Sequence, residues 1–224
     1  RDAQESRGLG DVYKRQPVLP AAHPFAYRNK MAVPAGLVKG EAALGCYRQG
    51  SHDIISVSSC VIQKEENNRL LRFARRFIEK YGISVYDEKT RKGCLRHVLG
   101  RVGDGGKMMV VLVTASETLP EEKRWIKEIK KELPEVVSLW HNIQPKPGNT
   151  ILGAKIRHLW GRETLTASLC GLRFEVSSSS FFQVHKEQAE ILYEKALAYA
   201  DLKGGETVID AYCGTCLLYT SDAA

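Results

Sequence analysis

Short apolar runs separated by glycine and serine dominate the first half of the chain. Three of these runs predict antiparallel strands joined by turns, at Tyr27–Val33, Ala42–Tyr47 and Asp53–Val57, with Gly36, Gly40, Gly50 and Ser51 at the breaks. Farther along, Leu95–Val102 and Met108–Thr114 flank a turn of three glycines and one aspartate, Gly103–Gly106. This second pattern predicts a β-hairpin.

Two segments of the same region have helical spacing instead. In Asn67–Tyr81 the apolar positions form one stripe, and five arginines and lysines lie beside it, so we expect an amphipathic helix that Gly82 ends. The stripe consists of Leu70, Leu71, Ala74, Phe77 and Ile78. The segment Glu121–Leu133 follows Pro120 and begins with acidic residues, which suit the amino end of a helix.

Three more apolar runs complete this part of the chain and predict strands, at Val136–Asn142, Ile151–Trp160 and Leu165–Val176, the last with a hairpin turn at Cys170–Gly171. Strands and helices therefore mix without strict βαβ alternation. This order predicts an α+β domain with antiparallel strands over residues 25–176.

The stretch Ser177–Gly214 has a different organisation. After a polar and aromatic entry, a helical stripe ends near Gly204–Gly205, and the β-branched run Thr207–Ile209 leads into an acidic residue and a glycine turn. The stripe consists of Ala189, Leu192, Tyr193, Ala196 and Ala200. Open α/β sheets bind ligands at the carboxyl ends of their strands, so this turn is a candidate cofactor site, although many ordinary strand-to-helix connections look alike.

The composition of the chain indicates a polyanionic binding partner. The 224 residues include 33 Lys and Arg against 26 Asp and Glu, a net charge of +7, and nucleic acid is the leading candidate. No run approaches the roughly 18 apolar residues that cross a bilayer, and no secretory signal is recognisable, so we expect a cytoplasmic protein without membrane contact. Of the six cysteines only Cys213 and Cys216 have CxxC spacing, and no second such pair accompanies them, which favours reduced thiols.

The two ends lack these patterns. Residues 1–24 begin with a charged stretch and continue into a proline-rich patch, and we expect a disordered or non-native leader there. The ends, including residues 216–224, are similar to the read-through of adapter DNA in assembled environmental sequences. We therefore expect a non-native tail and a chain truncated at both ends.

Six short motifs in a fixed order resemble the RNA uracil-5-methyltransferase family, in particular its bacterial 23S ribosomal RNA branch. They are Tyr27–Lys30, Ser51–Ile54, Ser59–Ile62, Gly93–His97, Ser180–Val184 and Asp210–Gly214. The resemblance covers residues 25–214. It implies a central α+β domain followed, from residue 177 to 215, by the first β-α-β portion of a Rossmann-like class I methyltransferase domain. An amino-terminal RNA-binding barrel and most of the catalytic domain would be absent.

The resemblance also implies the cofactor and its contacts. Gln183 matches the family glutamine that contacts S-adenosylmethionine, and Tyr212 matches an aromatic position of the first cofactor motif, between Asp210 and Gly214. An amide can satisfy polar groups of the cofactor, and an aromatic wall supplies apolar contact. Gln183 could instead be a helix-entry cap. After Gly214 the family pattern is not followed, since Thr215–Leu217 replaces it.

RNA contacts are implied for five further positions, Arg28, Lys30, Arg96, His97 and Phe181. Basic side chains can neutralise phosphates, and a flat ring can pack against an unstacked base. Surface charge or packing is the alternative for the basic residues, and either Phe181 or Phe182 is expected to belong to the core.

Cys60 matches the last of four cysteines that hold a four-iron four-sulfur cluster in some family members. Because a cluster needs four ligands and the other three would lie upstream of Phe25, we expect an empty site in this chain, and a buried free cysteine is the alternative. His185 stands where the family commonly has asparagine.

The implied reaction is methyl transfer from S-adenosylmethionine to carbon 5 of a uracil in 23S ribosomal RNA. In the family a cysteine thiolate adds to carbon 6 and a base later removes the carbon 5 proton. Neither residue is expected in this chain, because Cys213 lies within the cofactor turn. We therefore expect a monomeric, inactive fragment of a ribosomal RNA methyltransferase. The alternatives are a basic RNA-binding module without chemistry and another nucleotide-binding α/β enzyme.

Overall fold

The computed structural model describes residues 18–209, which form nine strands and three α-helices. The strands are β1 (Lys30–Val38), β2 (Glu41–Tyr47), β3 (Ile54–Ser56), β4 (Leu95–Val102), β5 (Met108–Thr114), β6 (Val136–Ile143), β7 (Lys155–Gly161), β8 (Leu165–Leu169) and β9 (Leu172–Val176). The helices are α1 (Glu65–Tyr81), α2 (Glu122–Glu132) and α3 (Lys186–Ala200). No helix in this range is long and apolar enough to cross a membrane.

Seven strands form one mixed sheet in the order β3-β2-β1-β4-β5-β6-β7. Neighbouring strands are antiparallel except β5 and β6, which are parallel and are connected through α2. The predicted hairpin is present as β4 and β5, with a 3-10 turn, Asp104–Gly106, between them. The antiparallel α+β arrangement is therefore confirmed, and the single parallel pair is an addition to it.

Helices α1 and α2 cover one face of this sheet. The predicted stripe of α1 is buried against the strands, and Phe77 stacks on Trp125 of α2 with ring centroids 3.7 Å apart. Gly82 ends α1 in the left-handed conformation, with its N–H donated to the Ile78 carbonyl, as its position in the sequence predicts. The opposite face carries a smaller cluster in which Leu99, Val111 and Val113 meet Trp140, Ile151 and Leu152.

Strands β8 and β9 form a separate two-stranded hairpin. Its turn residues Cys170 and Gly171 both have positive φ, 49° and 76°, as a two-residue hairpin turn requires. The hairpin packs on α3 through a cluster of Ala167, Leu169, Val176, Phe182 and Ala189. The core around residue 177 is thus shared between the hairpin and the helix that follows it. The predicted division of the chain at this point stays a prediction.

Two expectations about the first strands are wrong. β1 begins at Lys30 rather than Tyr27, because Arg28 pairs instead with Gln63. β1 also continues through Gly36, which the sequence placed at a break. A Cβ atom at Gly36 would lie 2.6 Å from the Cδ1 atom of Ile54, so glycine here leaves room for the end of that side chain.

The remaining differences concern β7 and the region of α3. Residues 151–154 precede β7 as a loop, although the sequence predicted a strand from Ile151. Of the stripe predicted for α3 only Ala189 is buried, and Leu192 is 62% exposed, because within residues 18–209 the apolar cluster that covers α3 comes from the small hairpin and Phe182. α3 ends at Asp201, before the glycine pair. The predicted strand Thr207–Ile209 is absent, since these residues pair with no strand of the described chain.

Candidate functional site

The loop from β9 to α3 is fixed to the start of the large sheet. The side-chain amide of Asn29 donates to the carbonyl oxygen of Gln183 at 2.9 Å, and the Asn29 backbone N–H donates to the carbonyl of Val184 at 3.0 Å. The guanidinium of Arg101 on β4 donates to the Ser180 carbonyl. These bonds give residues 180–184 a defined path beside the Tyr27–Lys30 segment.

This path separates the two phenylalanines. Phe182 is 7% exposed and belongs to the cluster under α3, whereas Phe181 is 65% exposed. The expectation that one of the pair belongs to the core is confirmed. The exposed ring of Phe181 is available to pack against a flat ligand.

Gln183 and His185 are oriented by neighbouring aromatic residues and by α3. The Gln183 amide donates to the hydroxyl of Tyr193 at 3.2 Å, and its carbonyl Oε1 accepts no hydrogen bond from residues 18–209. The ring of His185 stacks on Tyr27 with centroids 4.0 Å apart and accepts the Gln188 backbone N–H, so His185 caps α3. Gln183 therefore has a free side-chain acceptor on the same loop as Phe181.

Three cationic side chains lie beside this loop. Lys30 and Arg101 are directly opposite each other on β1 and β4, and Arg28 is close enough to affect Lys30. Burial, followed by the charges of Arg101 and Arg28, lowers the pKa of Lys30. Burial also lowers the pKa of Arg101. Within residues 18–209 none of the three forms a salt bridge, so their mutual repulsion favours binding of an anion.

Arg101 was missed by the sequence reasoning. The sequence did contain a signal for it. Alternation along the predicted strand places Arg101 on the same face as His97, which is part of one of the six motifs. Nothing in the sequence indicated that Arg101 would pair with Lys30 rather than contact solvent.

Arg96 and His97 lie at the other end of β4, away from this loop. Lys30 and Pro34 are the partners of Arg101 and His97, and four residues of a strand span about 13 Å. The structure therefore divides the predicted RNA-binding residues into two groups, one at the loop and one at the far end of the same strands.

The side chain of Arg96 is buried and supports a loop. It is 2% exposed and donates to the carbonyls of Gln144 at 2.9 Å and Lys146 at 2.7 Å. Its guanidinium also lies over the Tyr86 ring, 4.5 Å from the centroid. This arrangement fixes the start of the β6–β7 connection, and direct RNA contact by Arg96 stays a prediction.

His97 is 6% exposed and has no hydrogen-bond partner among the described residues. Its Nδ1 atom is enclosed by protein. Burial, and secondarily the Arg96 charge, lowers the pKa of His97 to about 4, so the ring is neutral near pH 7. His97 lines a cleft of about 710 Å³ between the β2–β3 and β6–β7 connections.

Cys60 lies in the segment that pairs with residues 26–28. Its N–H donates to the side-chain oxygen of Asn68 at 2.9 Å, and its carbonyl accepts from the Asn68 amide at 3.2 Å. Residues 18–209 contain no group of three or more metal-ligating side chains. The described residues therefore do not fit a cluster that needs four thiolates. The metal role of Cys60 stays a prediction.

Three predicted cofactor residues, Asp210, Tyr212 and Gly214, lie outside the described residues. Of the proposed S-adenosylmethionine contacts, only Gln183 can be tested for fit. Its Oε1 accepts no hydrogen bond from residues 18–209, and the same loop carries the exposed ring of Phe181, a combination that suits a ligand with polar groups and a flat base.

Known proteins similar to this chain are RNA methyltransferases. No protein-family model matches it. An uncharacterized RNA methyltransferase of Bacillus cereus (strain ATCC 10987 / NRS 248) is 47% identical over 212 residues, 94% of this chain and 46% of that protein. A second, from Halalkalibacterium halodurans, is 43% identical over 215 residues, 96% of this chain and 47% of that protein. The chain thus spans about half the length of these relatives.

The fold is similar to that of a solved methyltransferase. The Pyrococcus abyssi tRNA (uracil-54, C5)-methyltransferase, crystallised with S-adenosyl-L-homocysteine, matches with a TM-score of 0.65 and 23% identity. The match covers 81% of this chain and 42% of that enzyme.

The chain is therefore homologous to RNA methyltransferases over nearly its whole length. These relatives confirm the resemblance to RNA methyltransferases, and the similar fold agrees with it. The chain is thus related to RNA methyltransferases, and its ordered motifs resemble those of the uracil-5 family.

Proposed function

We propose that the chain is the middle part of an enzyme that transfers a methyl group from S-adenosylmethionine to carbon 5 of a uracil in 23S ribosomal RNA. The observation that carries this proposal is the loop of residues 180–184. It presents the exposed ring of Phe181 and the free acceptor of Gln183 near three cations, Arg28, Lys30 and Arg101, that form no salt bridge within residues 18–209. The related enzyme from P. abyssi acts on a uracil C5 position of tRNA, so the choice of ribosomal RNA rests on the motifs alone.

Each group of the loop region has a part in binding. Lys30 and Arg28 attract the RNA backbone, because neutralised phosphates release their counterions. Phe181 packs on the target uracil when it leaves its stack. Gln183 accepts a hydrogen bond from the cofactor, which supplies the methyl group when bound. Asn29 and Arg101 hold the loop so that both contacts occur together.

The organisation of the whole protein is also a proposal. Residues 25–176 form the central domain, and residues 177–215 begin the methyltransferase domain, in which Asp210, Tyr212 and Gly214 line the cofactor. The nucleophilic cysteine and the general base belong to a part of the enzyme outside this chain. A cluster held partly by Cys60, a monomeric state and a cytoplasmic location remain part of the same proposal.

Methyl transfer tests the proposal directly. The 224-residue chain and a version extended on both sides with its natural flanking sequence are each incubated with labelled S-adenosylmethionine. A 23S ribosomal RNA fragment and a tRNA transcript serve as substrates. We expect label in the ribosomal RNA only with the extended protein. Transfer by the 224-residue chain would contradict the fragment assignment, and label only in tRNA would contradict the ribosomal target.

A non-catalytic RNA-binding module is the second candidate, and the observation that favours it is that Arg28 and Lys30 form no salt bridge within residues 18–209. The extended protein distinguishes the two. If it binds RNA with a salt-dependent affinity but transfers no methyl group to either substrate, the module interpretation replaces the enzyme.

A further inference from the structure

The cleft that His97 lines is the most specific feature outside the loop of residues 180–184. One wall is the end of β2 with the connection Tyr47–His52, and the other is Gly148–Ile151 of the β6–β7 connection. Its floor is formed by small side chains of β1 and by His97 of β4. A volume of about 710 Å³ is in the range of small-molecule sites.

The walls of this cleft are built in place. The β2–β3 connection is closed by backbone bonds between Arg48 and Asp53 and between Ser51 and Arg48, at 2.8 and 3.0 Å. In the opposite wall, the Gln144 amide donates to the Thr150 carbonyl at 3.0 Å. The buried Arg96 holds the carbonyl of Gln144 itself. The cleft therefore has a defined shape rather than being a gap between loose loops.

His97 is the unexplained polar group of this site. A buried histidine with no hydrogen-bond partner costs free energy, and such groups are rare in folded proteins. A neutral imidazole offers one donor and one acceptor. Nδ1 is enclosed, so a ligand in the cleft would bond to this ring through Nε2, and that bond would account for a polar ring where an apolar side chain would pack without the cost of an unpaired Nδ1.

Charge and shape point to a flat, uncharged ligand group. Arg48 is the one Lys or Arg that lines the cleft, and Glu88 is the one acidic residue, bound to His52. This near balance disfavours a phosphate inside. Tyr47 is 39% exposed, and its ring lies 5.2 Å from that of His52, so two rings border the space. Aromatic walls and polar groups together suit a nucleobase.

The position of the cleft points to RNA rather than to a free nucleotide. Lys30 and Pro34 are four residues apart on β1, and their partners Arg101 and His97 are four residues apart on β4. Because side chains of a strand alternate between the two faces of the sheet, all four lie on one face, and the cations and the cleft therefore share that face. That face is the one opposite α1 and α2. A single strand along β1 would reach both places.

We propose that this cleft binds an unstacked base of single-stranded RNA, about 13 Å along β1 from the cations beside Phe181. The inference rests on the proposed function and adds a second base site to it. Tyr47 or His52 stacks on the base, His97 bonds to its edge, and Arg48 meets the adjoining phosphate. Arg96 is a positioning residue for one wall.

Two substitutions and one control in the 224-residue chain test this site. Affinity for a labelled single-stranded RNA decamer is measured by fluorescence anisotropy. Tyr47→Ala is expected to weaken binding about 5- to 150-fold, the effect of losing one stacked base. His97→Phe keeps a ring but no polar atom, and we expect binding about 2- to 12-fold weaker. Tyr199→Ala, at an 83% exposed position of α3, should leave the affinity unchanged.

A stability measurement separates the ligand role of His97 from a structural one. Because the ring has no partner in the protein, His97→Phe should be as stable as the unmodified chain or more stable at pH 7, while RNA binding falls. Unfolding in urea with the same set of variants gives this comparison. A loss of stability without a loss of RNA affinity would overturn the assignment.

Mononucleotides provide a readout that does not depend on methyl transfer. Uridine and adenosine monophosphates should shift the imidazole proton resonance of His97, identified as the signal missing in His97→Phe. Ribose 5-phosphate should not shift it. An equal shift with ribose 5-phosphate, or wild-type affinity of both cleft variants, refutes a base site while leaving the methyltransferase proposal intact. Nucleotide shifts together with no methyl transfer by the extended protein would refute only the proposed function.

Discussion

Asn29 and Gln183, 154 positions apart in the chain, are joined by a hydrogen bond of 2.9 Å from the Asn29 amide to the Gln183 carbonyl. The bond connects the entry of β1 to the loop before α3, and the Asn29 backbone adds a second bond to Val184. The motif YRNK therefore does more than supply charge. Its asparagine holds the backbone of the residue proposed to contact the cofactor.

Asn29→Ala tests this connection. Loss of the side-chain bond leaves the Gln183 carbonyl without that donor and should lower the free energy of unfolding by about 1 kcal/mol, as measured in urea. In the extended protein, S-adenosylmethionine affinity should fall as well, because the loop loses its position. The matched control is Asn149→Ala, an exposed amide without a hydrogen bond to the described residues. Equal stability of the two variants would contradict the role of Asn29.

Arg96→Met tests whether Arg96 is a structural residue. The substitution leaves the carbonyls of Gln144 and Lys146 unpaired and removes the contact with Tyr86. We expect a loss of about 2–3 kcal/mol in the free energy of unfolding, typical of bonds to a charged group. Arg76→Met is the control, since its exposed pair with Glu132 should contribute at most about 1 kcal/mol. Similar values for both would refute the structural assignment.

Several features of the fold followed from the sequence because local chemistry determines them. The stripe of α1, the glycine that ends it and the β4–β5 hairpin depend on residues close together in the chain. The face of Leu95 could not be predicted from the rest of β4, because a bulge between Leu95 and His97 interrupts the alternation. Leu95 and Val98 consequently face the same core although they are three residues apart.

The candidate site could be predicted only in part, because motifs are local in the sequence and burial is not. Motifs identified Gln183, Phe181 and the basic positions, but whether a basic side chain is buried depends on distant partners. Arg96 is covered because the β6–β7 connection folds over it, and Arg101 joins Lys30 only through strand pairing. The packing of α3 could not be predicted from its own residues either, since an apolar stripe indicates a buried face without indicating which element covers it.

The stability of the chain should depend on pH through His97. Its pKa is about 4 in the folded chain and near the ordinary histidine value of 6.5 in the unfolded chain. Between these values the unfolded chain binds the proton and the folded chain does not, so the free energy of unfolding falls as pH falls from about 7 to 4. The shift corresponds to a loss on the order of 3 kcal/mol.

Urea unfolding at several pH values checks this expectation, with His97→Phe as the comparison. Carboxylates contribute to acid sensitivity in both proteins, so the difference between the two curves isolates the histidine. That difference should grow in favour of the variant as pH is lowered to 4. Parallel curves would show that His97 does not account for the acid sensitivity.

The cations beside the loop should determine the salt dependence of RNA binding. For a single-stranded RNA, each neutralised phosphate contributes about 0.7 to the slope of log affinity against log salt concentration. Arg28→Gln and Lys30→Gln should each reduce the slope by about that amount. Arg76→Gln removes a charge from α1, on the other face of the sheet, and should leave the slope unchanged. Identical slopes for all three variants would remove Arg28 and Lys30 from the interface.

Phe181 and Phe182 form an adjacent pair whose roles the structure separates. Phe182 is buried beside Ala167 and Ala189, so Phe182→Ala should lower the free energy of unfolding by about 3–5 kcal/mol through lost contacts and the cavity left behind. Phe181 is 65% exposed, and Phe181→Ala should change stability by no more than about 0.5 kcal/mol. In the extended protein, however, Phe181→Ala should reduce methyl transfer, because the unstacked uracil loses its aromatic neighbour. Unfolding in urea and single-turnover methylation measure the two effects, and a Phe181→Ala enzyme with wild-type turnover would show that the exposed ring does not contact the base.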